Sequence, residues 1–422
     1  MNVVLPKELA YSPSLPSLPE CLSQDVVLAP VNGGAFGPSQ LIQFDLVARG
    51  FIDPSSLYIR YKCALTQTTV ADSSTIRGTP VYSFFNKLET IFGSSIVESI
   101  NNYNQVCNMM TNVTLTVSQK YGQQAAYGYG DALNVPTLEG LDGRTCVTLD
   151  NFSLAAPLPC ILSSAEKLVP AGLMPNIRIQ LTTESISAMF GTVQPPSNYS
   201  LTNVELCYTM IDFHGEVNDL VRGMGEQFYI KSQSFKNMGA SLASGGTGAT
   251  DLIYNMRLAS IKSLFANFSG QSTAKCINGI FDSVDPTSGL GDMVFNIAGT
   301  NYPTRSVSTL NNKSAFLMEL KKAVGALHSD NYNTSINTKE FASVDATVTT
   351  GIAPGKFYFG VNCEKLSSNG ALLTGVSTQS SPISLRLSTS SAPTQSYSVN
   401  LIAMYDALIV VQPELRQASV RE

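Results

Sequence analysis

The sequence predicts an all-β protein built from two tandem jelly-roll β-sandwich domains, a double jelly roll in which each domain carries a short helix and long loops. Three observations lead to this prediction. The chain has 422 residues, which suits two domains better than one. Its predicted strands are short and mostly alternate apolar with polar residues. Similar stretches also recur about 200 residues apart in the same order, which indicates an internal repeat.

The internal repeat consists of three pairs of similar stretches. Both members of the first pair follow a glycine-rich loop, both members of the second follow a proline, and both members of the third begin with a Tyr-Ser pair. These pairs are residues 41–46 with 252–258, 177–181 with 383–387, and 199–213 with 397–411. Two immunoglobulin-like domains or a propeller are alternatives. Immunoglobulin-like domains are usually half this size, however, and no blade-sized repeat of about 40–50 residues is visible.

We therefore divide the chain into two domains with flanking segments. The N-terminal segment is predicted to be extended because its four prolines restrict the backbone. The predicted boundaries are the arm at 1–25, the first jelly roll at 26–214, a connector at 215–228, the second jelly roll at 229–412 and a polar C-terminal tail at 413–422.

Each predicted domain contains one helix among its strands. Residues 57–65 alternate cleanly, as a half-buried strand should, and residues 84–100 supply one or two more strands. The apolar residues of 103–113 then fall at helical spacing, and those of 316–327 form a similar stripe in the second half. Further strands are predicted at 145–150, 158–162, 342–349 and 356–361, and long loops at 114–143 and 267–310.

The last long strand, at residues 401–411, is almost continuously apolar and is interrupted only by Asp406. An alternating strand faces a core on one side, whereas a continuous apolar run implies cover on both sides. We therefore predict that this strand lies centrally, between the two domains or against another chain.

The composition argues against several classes of partner. Charged residues are 14% of the chain, against roughly 25% in a typical soluble domain, and uncharged polar residues replace them. Such a surface suits large protein–protein contacts. The net charge is −5 and no Lys/Arg cluster occurs, so we expect no direct nucleic-acid binding. Neither a signal peptide nor a transmembrane helix is predicted.

The cysteines are scattered and form no CxxC pair. Several lie within apolar strand or helix patterns. We therefore expect free, mostly buried thiols in a protein made in a reducing compartment. The eight cysteines are Cys21, Cys63, Cys107, Cys146, Cys160, Cys207, Cys276 and Cys363.

No combination of residues indicates an active site. The chain has two histidines, His214 and His328, for which we expect cap or loop roles. Residues 351–357 resemble a phosphate loop, but the glycine spacing is too short and Phe357 replaces the magnesium-binding Ser or Thr, so we predict a turn before a strand. Residues 239–243 lack the second glycine of a nucleophile elbow. We predict no catalytic residue, no cofactor and no metal.

A sugar-binding or hydrolytic site would be expected to contain aromatic side chains for stacking. Such sites usually use tryptophan, and the chain has none. Tyr121, Tyr127 and Tyr129 are candidates for stacking against a sugar or a base. We expect instead that they pack against a neighbouring subunit.

Taken together, these features resemble the double jelly-roll major capsid proteins of icosahedral double-stranded DNA viruses. The resemblance covers residues 25–412. Residues 51–58, 99–104 and 405–414 look similar to capsid proteins of polinton-like viruses and virophages, within the lineage that includes PRD1 and adenovirus. The chain is shorter than the larger members, so elaborate surface towers are not expected.

The resemblance implies a major capsid protein of the virion, not an enzyme, that forms pseudo-hexagonal homotrimeric capsomers and tiles an icosahedral shell. The implied partners are further copies of the chain, penton proteins and minor or cement proteins, and the presence of an internal membrane is left open. Synthesis is expected in the reducing host cytoplasm. The helices and the loops 114–143 and 267–310 are expected to join the trimer or form its outer surface. The arm and the tail are expected to reach neighbouring capsomers or an inner layer.

Two other interpretations of the function stay open. A secreted or surface β-sandwich adhesin or lectin would explain the richness in Ser, Thr and Asn, but it should show a secretion signal, disulfides or an anchor. A β-sandwich hydrolase would need a cluster of carboxylates or histidines, which the sequence does not show.

Overall fold

The structure is a computed structural model. It describes residues 20–66, 74–131, 143–146, 151–190, 196–213, 217–223, 225–270, 281, 283–287, 291–308, 313–327, 334–341, 355–365, 373–390, 392–393 and 396–422. His214, His328 and the predicted strand at 342–349 lie outside these residues.

Strands dominate both halves of the chain. In the first half they are β1 (Cys21–Leu28), β2 (Ala35–Phe36), β3 (Leu41–Asp45), β4 (Phe51–Ile52), β5 (Tyr58–Thr66), β6 (Ser74–Arg77), β7 (Phe85–Phe92), β8 (Ser95–Ile100), β9 (Gly130–Asp131), β10 (Gly143–Cys146), β11 (Asn151–Pro157), β12 (Ile177–Thr183) and β13 (Asn198–Phe213). In the second half they are β14 (Phe228–Leu242), β15 (Gly248–Tyr254), β16 (Ile261–Gly270), β17 (Gly291–Ile297), β18 (Thr300–Ser308), β19 (Tyr358–Asn362), β20 (Ile383–Thr389), β21 (Tyr397–Gln412) and β22 (Gln417–Arg421).

The helices are short and lie mainly between strands. They are α1 (Pro80–Ser83), α2 (Tyr103–Thr114), α3 (Val117–Gly122), α4 (Gln124–Tyr127), α5 (Ile186–Met189), α6 (Val217–Arg222), α7 (Lys313–Ala323) and α8 (Thr338–Phe341).

The two halves have the same strand order. The first half forms one sheet with the order β1-β13-β5-β11 and a second with the order β3-β12-β7-β8. The second half repeats this with β14-β21-β16-β19 and β15-β20-β17-β18. In each half the eight main strands therefore pair in the order 1-8-3-6 and 2-7-4-5, which is a jelly roll. The predicted all-β double jelly roll is confirmed.

The three repeated stretches found in the sequence occupy matching positions. Residues 41–46 begin in β3 and residues 252–258 begin in β15, and these are the second strands of their halves. The seventh strands are β12 and β20, and the eighth are β13 and β21. Tyr199 and Tyr397, near the start of these eighth strands, are both fully buried.

Each half has its own core between its two sheets. In the first half, the ring of Tyr61 from one sheet lies 5.4 Å from the ring of Phe85 from the other, edge to face. In the second half, Phe295 and Phe359 stack across the sheets with their centroids 5.0 Å apart. Such aromatic pairs bury large areas and fix the spacing of the sheets.

The helices predicted at 103–113 and 316–327 are confirmed by α2 and α7, and the one or two strands predicted at 84–100 are β7 and β8. Several loop and strand predictions were wrong. The segment 114–143 contains α3 and α4, and the segment 267–310 contains β17 and β18. We missed β18 because it is a largely exposed edge strand that alternates poorly. Residues 158–162 form a buried turn rather than a strand.

Both chain ends described in the structure belong to sheets. The first strand, β1, begins at Cys21 and crosses the boundary predicted at residue 25. The last strand, β22, pairs with β21, with Leu408 opposite Arg421. Residues 417–421 therefore extend a sheet of the second half.

Candidate assembly interfaces

The first candidate site is the contact between the two halves, where α2 lies. Three asparagines of α2 follow each other at intervals of four residues and therefore share one helix face. Asn104 donates to the Glu184 carboxylate at 2.9 Å within the first half. Asn108 lies 3.5 Å from the Phe281 carbonyl, and Asn112 lies 3.3 Å from the Tyr358 hydroxyl, both in the second half.

Further hydrogen bonds hold the C-terminal end of α2 against the second half. The carbonyl of Asn112 accepts from the backbone N–H of Ser335 at 3.1 Å and from the hydroxyl of Thr334 at 3.0 Å. The side chain of Asn400, in β21, donates to Gln105 at 2.8 Å. Buried amides need such partners, because a buried polar group without one costs about 1–3 kcal/mol. The helix is thus part of both halves.

A buried carboxylate joins β8 of the first half to β14 of the second. Glu98 is 1% exposed and accepts hydrogen bonds from the Thr90 hydroxyl at 2.7 Å, from the Ile161 backbone N–H at 2.8 Å and from the Ser234 hydroxyl. Burial raises the pKa of Glu98, the hydrogen bonds oppose that shift, and the charge of Glu422 adds to it. The buried turn at 158–162 takes part in this contact, because its Ile161 N–H is one of the three donors.

The two halves meet through unlike surfaces. The first half contributes β8 and α2, which we call a helix edge. The second half contributes β14 and β21, which we call a strand face. Ser232 of β14 donates to the Ile161 carbonyl at 2.5 Å, and Lys231 lies 3.6 Å from the Glu166 carboxylate. Because the surfaces differ, the contact is heterologous, the kind that can continue from one unit to the next.

The prediction of a central last strand is confirmed. In β21, thirteen of sixteen residues are buried, whereas its counterpart β13 alternates between buried and partly exposed residues. The difference follows from position, because the first half covers β21 through contacts such as Gln105 with Asn400.

The thiol chemistry matches the prediction of free cysteines for those that are described. Five are buried and Cys21 is exposed. Burial raises the pKa of Cys160 and of Cys363 to about 12 and raises that of Cys107 further. A thiol with such a pKa stays protonated and is a poor nucleophile. These cysteines therefore pack as small apolar side chains.

The described residues contain no group of three or more His, Cys, Asp or Glu that could hold a metal ion. Among them, no helix is both long and apolar enough to cross a membrane. The described end of the loop at 351–357 leads into β19, and Lys356 makes a buried ion pair with Glu340 at 2.9 Å. The side chain of this lysine is therefore held in the buried contact between α8 and the start of β19.

The prediction that tyrosines of the 114–143 segment pack against a neighbouring subunit is wrong for Tyr127 and Tyr129. Tyr127 and Tyr129 are buried, with ring centroids 6.2 Å apart. The Tyr129 hydroxyl lies 3.0 Å from that of Thr79, and Tyr127 packs edge to face on Tyr82. They belong to the core of the first half because α3 and α4 fold back over its sheet.

Neither the asparagine stripe of α2 nor the buried Glu98 was predicted from the sequence. The available signal was the helix composition: an amphipathic helix with Asn104, Asn108 and Asn112 on one face has no charged residue there. Exposed faces of helices are usually charged. An amide-rich face is more easily buried, because desolvating an amide costs less than desolvating an ion.

The fold and these contacts define a double jelly roll with two barrels joined through unlike surfaces. No protein-family model matches the chain, and no curated protein matches its sequence. Solved structures do match in fold.

Three of the matching structures are viral capsid proteins. The Faustovirus major capsid protein aligns with a TM-score of 0.63 at 8% identity, covering 96% of this chain and 92% of that chain. The PBCV-1 virus capsid aligns at 0.60 and 9% identity, covering 98% and 99%. The mavirus major capsid protein aligns at 0.56 and 8% identity, covering 100% and 95%. The predicted resemblance is therefore confirmed for the fold.

Proposed function

We propose that this protein is a major capsid protein and acts as a structural unit rather than as an enzyme. The observation that carries the proposal is the pair of jelly rolls joined through unlike surfaces, in a fold shared over nearly the whole chain with viral capsid proteins. The low content of charged residues supports it, because charges are depleted from the centres of protein interfaces.

We further propose that three chains form a closed ring. Each chain supplies two similar barrels side by side, so three chains present six barrels around one axis. Such a pseudo-hexagonal block has the shape needed to tile an icosahedral shell. A heterologous contact gives a closed ring when the rotation from one unit to the next divides the full circle evenly. Because each chain has two barrels, a ring of three chains contains six barrel units.

The proposal extends to partners and location. The chain would reside in the virion and bind further copies of itself, with penton and minor or cement proteins at its outer edges. The absence of a Lys/Arg cluster supports a shell that does not bind the genome directly. The buried free thiols support synthesis in the reducing host cytoplasm. We keep the division between the two jelly rolls at residues 214 and 228 as part of the proposal, and we extend the outer limits predicted at 25 and 412 so that β1 and β22 belong to their barrels.

Light scattering on the purified, reduced protein tests the ring. We expect a particle of about 135 kDa, three times the chain mass of 45.2 kDa. A monomer at every protein concentration would contradict the trimer. Glycan-binding and hydrolysis screens would then test the adhesin and hydrolase readings.

A further inference from the structure

We propose that the strand face of the first half, formed by β1 and β13, binds the helix edge of the second half of another copy, formed by β18 and α7. This proposal rests on the proposed trimer and names the surfaces that would form it. The contact between the two halves of one chain supplies the template, because it joins the counterparts of these same elements.

The strand faces of the two halves differ in how much of their surface is buried by the other half. In β14 the buried Ser232 and Ser234 contact the first half. Its counterpart β1 has six exposed residues out of eight, among them Leu22 at 56% and Val27 at 49% exposed. Leu22 and Val27 are five positions apart and point to opposite faces of the sheet, so only Val27 lies on the outer face, beside Tyr58 and Thr209. A large apolar side chain exposed there is typical of an interaction surface.

The helix edges differ in the same way. The exposed stripe of α7 consists of Ser314, Met318 and Lys322. These residues occupy the second, sixth and tenth positions of α7, as the three asparagines do in α2. In α2 that stripe is buried, mostly against the second half, whereas in α7 Met318 is 45% exposed. The strand β18 is likewise mostly exposed, in contrast to β8.

The strand face of the first half is also shaped to receive a helix. A groove of about 700 Å³ crosses it, lined by Val27 of β1, Tyr58 of β5, Thr209 of β13 and Ala126 of α4. Tyr58 is 37% exposed at this surface. In the second half, the corresponding side of β21 is where Asn400 meets α2. The groove is therefore the place where a second copy would seat α7.

Each chain then carries one uncovered strand face and one uncovered helix edge. Because these surfaces are complementary rather than identical, one copy can bind a second, the second a third, and the third can return to the first. A twofold contact of strand face with strand face, or of helix edge with helix edge, would leave the other kind of surface unused on both chains. The assignment therefore specifies a head-to-tail ring.

Two substitutions test the two surfaces separately. Val27→Asp places a charge on the strand face, and Met318→Asp places one on the helix edge. Both sites are exposed, so the chain should still fold, which circular dichroism and thermal unfolding would check. Light scattering should give 45.2 kDa for each variant alone. Ile253→Asp is the matched control: this residue is 63% exposed on β15, at the sheet edge opposite β18, and should leave the trimer intact.

Mixing the two variants distinguishes a head-to-tail contact from other contacts. The intact helix edge of the Val27→Asp chain can bind the intact strand face of the Met318→Asp chain. The two surfaces that remain in this pair both carry the introduced charge, so no third chain can be added. The mixture should therefore give a particle of twice the 45.2 kDa chain mass, at concentrations where each variant alone is monomeric. Tyr58→Asp, in the same groove and 37% exposed, should replace Val27→Asp in this test if the latter folds poorly.

The outcomes separate this proposal from the trimer itself. If the unmodified protein is a trimer and both variants remain trimers, the surfaces are wrong while the proposed function stands. If both variants are monomers but their mixture forms no dimer, the head-to-tail pairing is wrong. If the unmodified protein is a monomer, the proposed function fails together with this contact.

Discussion

The helices α2 and α7 occupy the same place in the two halves of the chain, but their surroundings differ. Ten of the twelve residues of α2 are buried, against three of the eleven residues of α7. Both helices pack apolar residues on their own half at equivalent positions, Val106 and Val113 in α2, and Phe316 and Ala323 in α7. The difference lies on the opposite face, where α2 meets the second half. Burial here depends on the neighbouring barrel rather than on the amphipathicity of the helix.

The same contrast holds for the edge strands β1 and β14. The edge strand β14 of the second half contacts the first half and exposes four of its fifteen residues, while β1 of the first half exposes six of its eight. One copy of each paired element is used inside the chain and the other is left at its surface. The chain therefore contains one complete contact between barrels, and the counterparts of its two sides, β1 and α7, lie at the surface.

The largest expected effect compares two methionines in the two helices. Met109 of α2 is fully buried, and Met318 of α7 is 45% exposed. In the Val27→Asp background, which we expect to be monomeric, Met109→Ala should lower the free energy of unfolding by about 2–5 kcal/mol because it leaves a cavity. Met318→Ala should change it by less than about 0.5 kcal/mol.

Denaturant unfolding at neutral pH measures both methionine variants. Equal losses for the two would mean that α7 is packed as α2 is, and that its outer face is not available to a partner.

A second comparison concerns the equivalent stripes of the two helices. Asn112→Ala removes an acceptor for the Lys120 ammonium, whose nitrogen lies 2.5 Å from the Asn112 side-chain oxygen, and a donor to Tyr358. We expect a loss of about 1–3 kcal/mol, because these groups are buried. Lys322→Ala, at the matching position of α7, breaks an exposed ion pair with Glu319 and should cost less than about 1 kcal/mol.

Denaturant midpoints in the same monomeric background would compare Asn112→Ala with Lys322→Ala. A neutral Asn112→Ala variant would show that the asparagine stripe does not hold the halves together.

The smallest expected effect is the pH dependence from Glu98. Burial raises the pKa of this carboxyl above its ordinary value of 4.5, so the folded chain favours the protonated form. Its contribution to stability is present in full below that ordinary value and is lost as the pH rises through the higher pKa of the folded state. Relative to Glu98→Gln, the unmodified chain should therefore lose stability as the pH rises.

Unfolding of the unmodified chain and of Glu98→Gln, measured side by side from about pH 4 to 8, gives this difference. A difference that is flat, or that grows with pH, would mean that Glu98 is not desolvated between β8 and β14.

Much of this fold could be predicted from the sequence, because its strongest signals are local. Alternation predicted β5, helical spacing predicted α2 and α7, and the continuous apolar run predicted the central position of β21. The strand β18 was missed because an exposed edge needs no alternation to satisfy a core. The role of Glu98 and of the asparagine stripe could not be predicted, because both depend on residues more than a hundred positions away, such as Ser234 and Tyr358.

Electron microscopy of the purified particle tests the central claim most directly, that two unlike surfaces link double jelly rolls into a ring of three chains. Averaged views along the particle axis should show threefold symmetry with six barrel-sized lobes in a pseudo-hexagonal outline. Particles with two lobes, or pairs of chains related by a twofold axis, would contradict the claim.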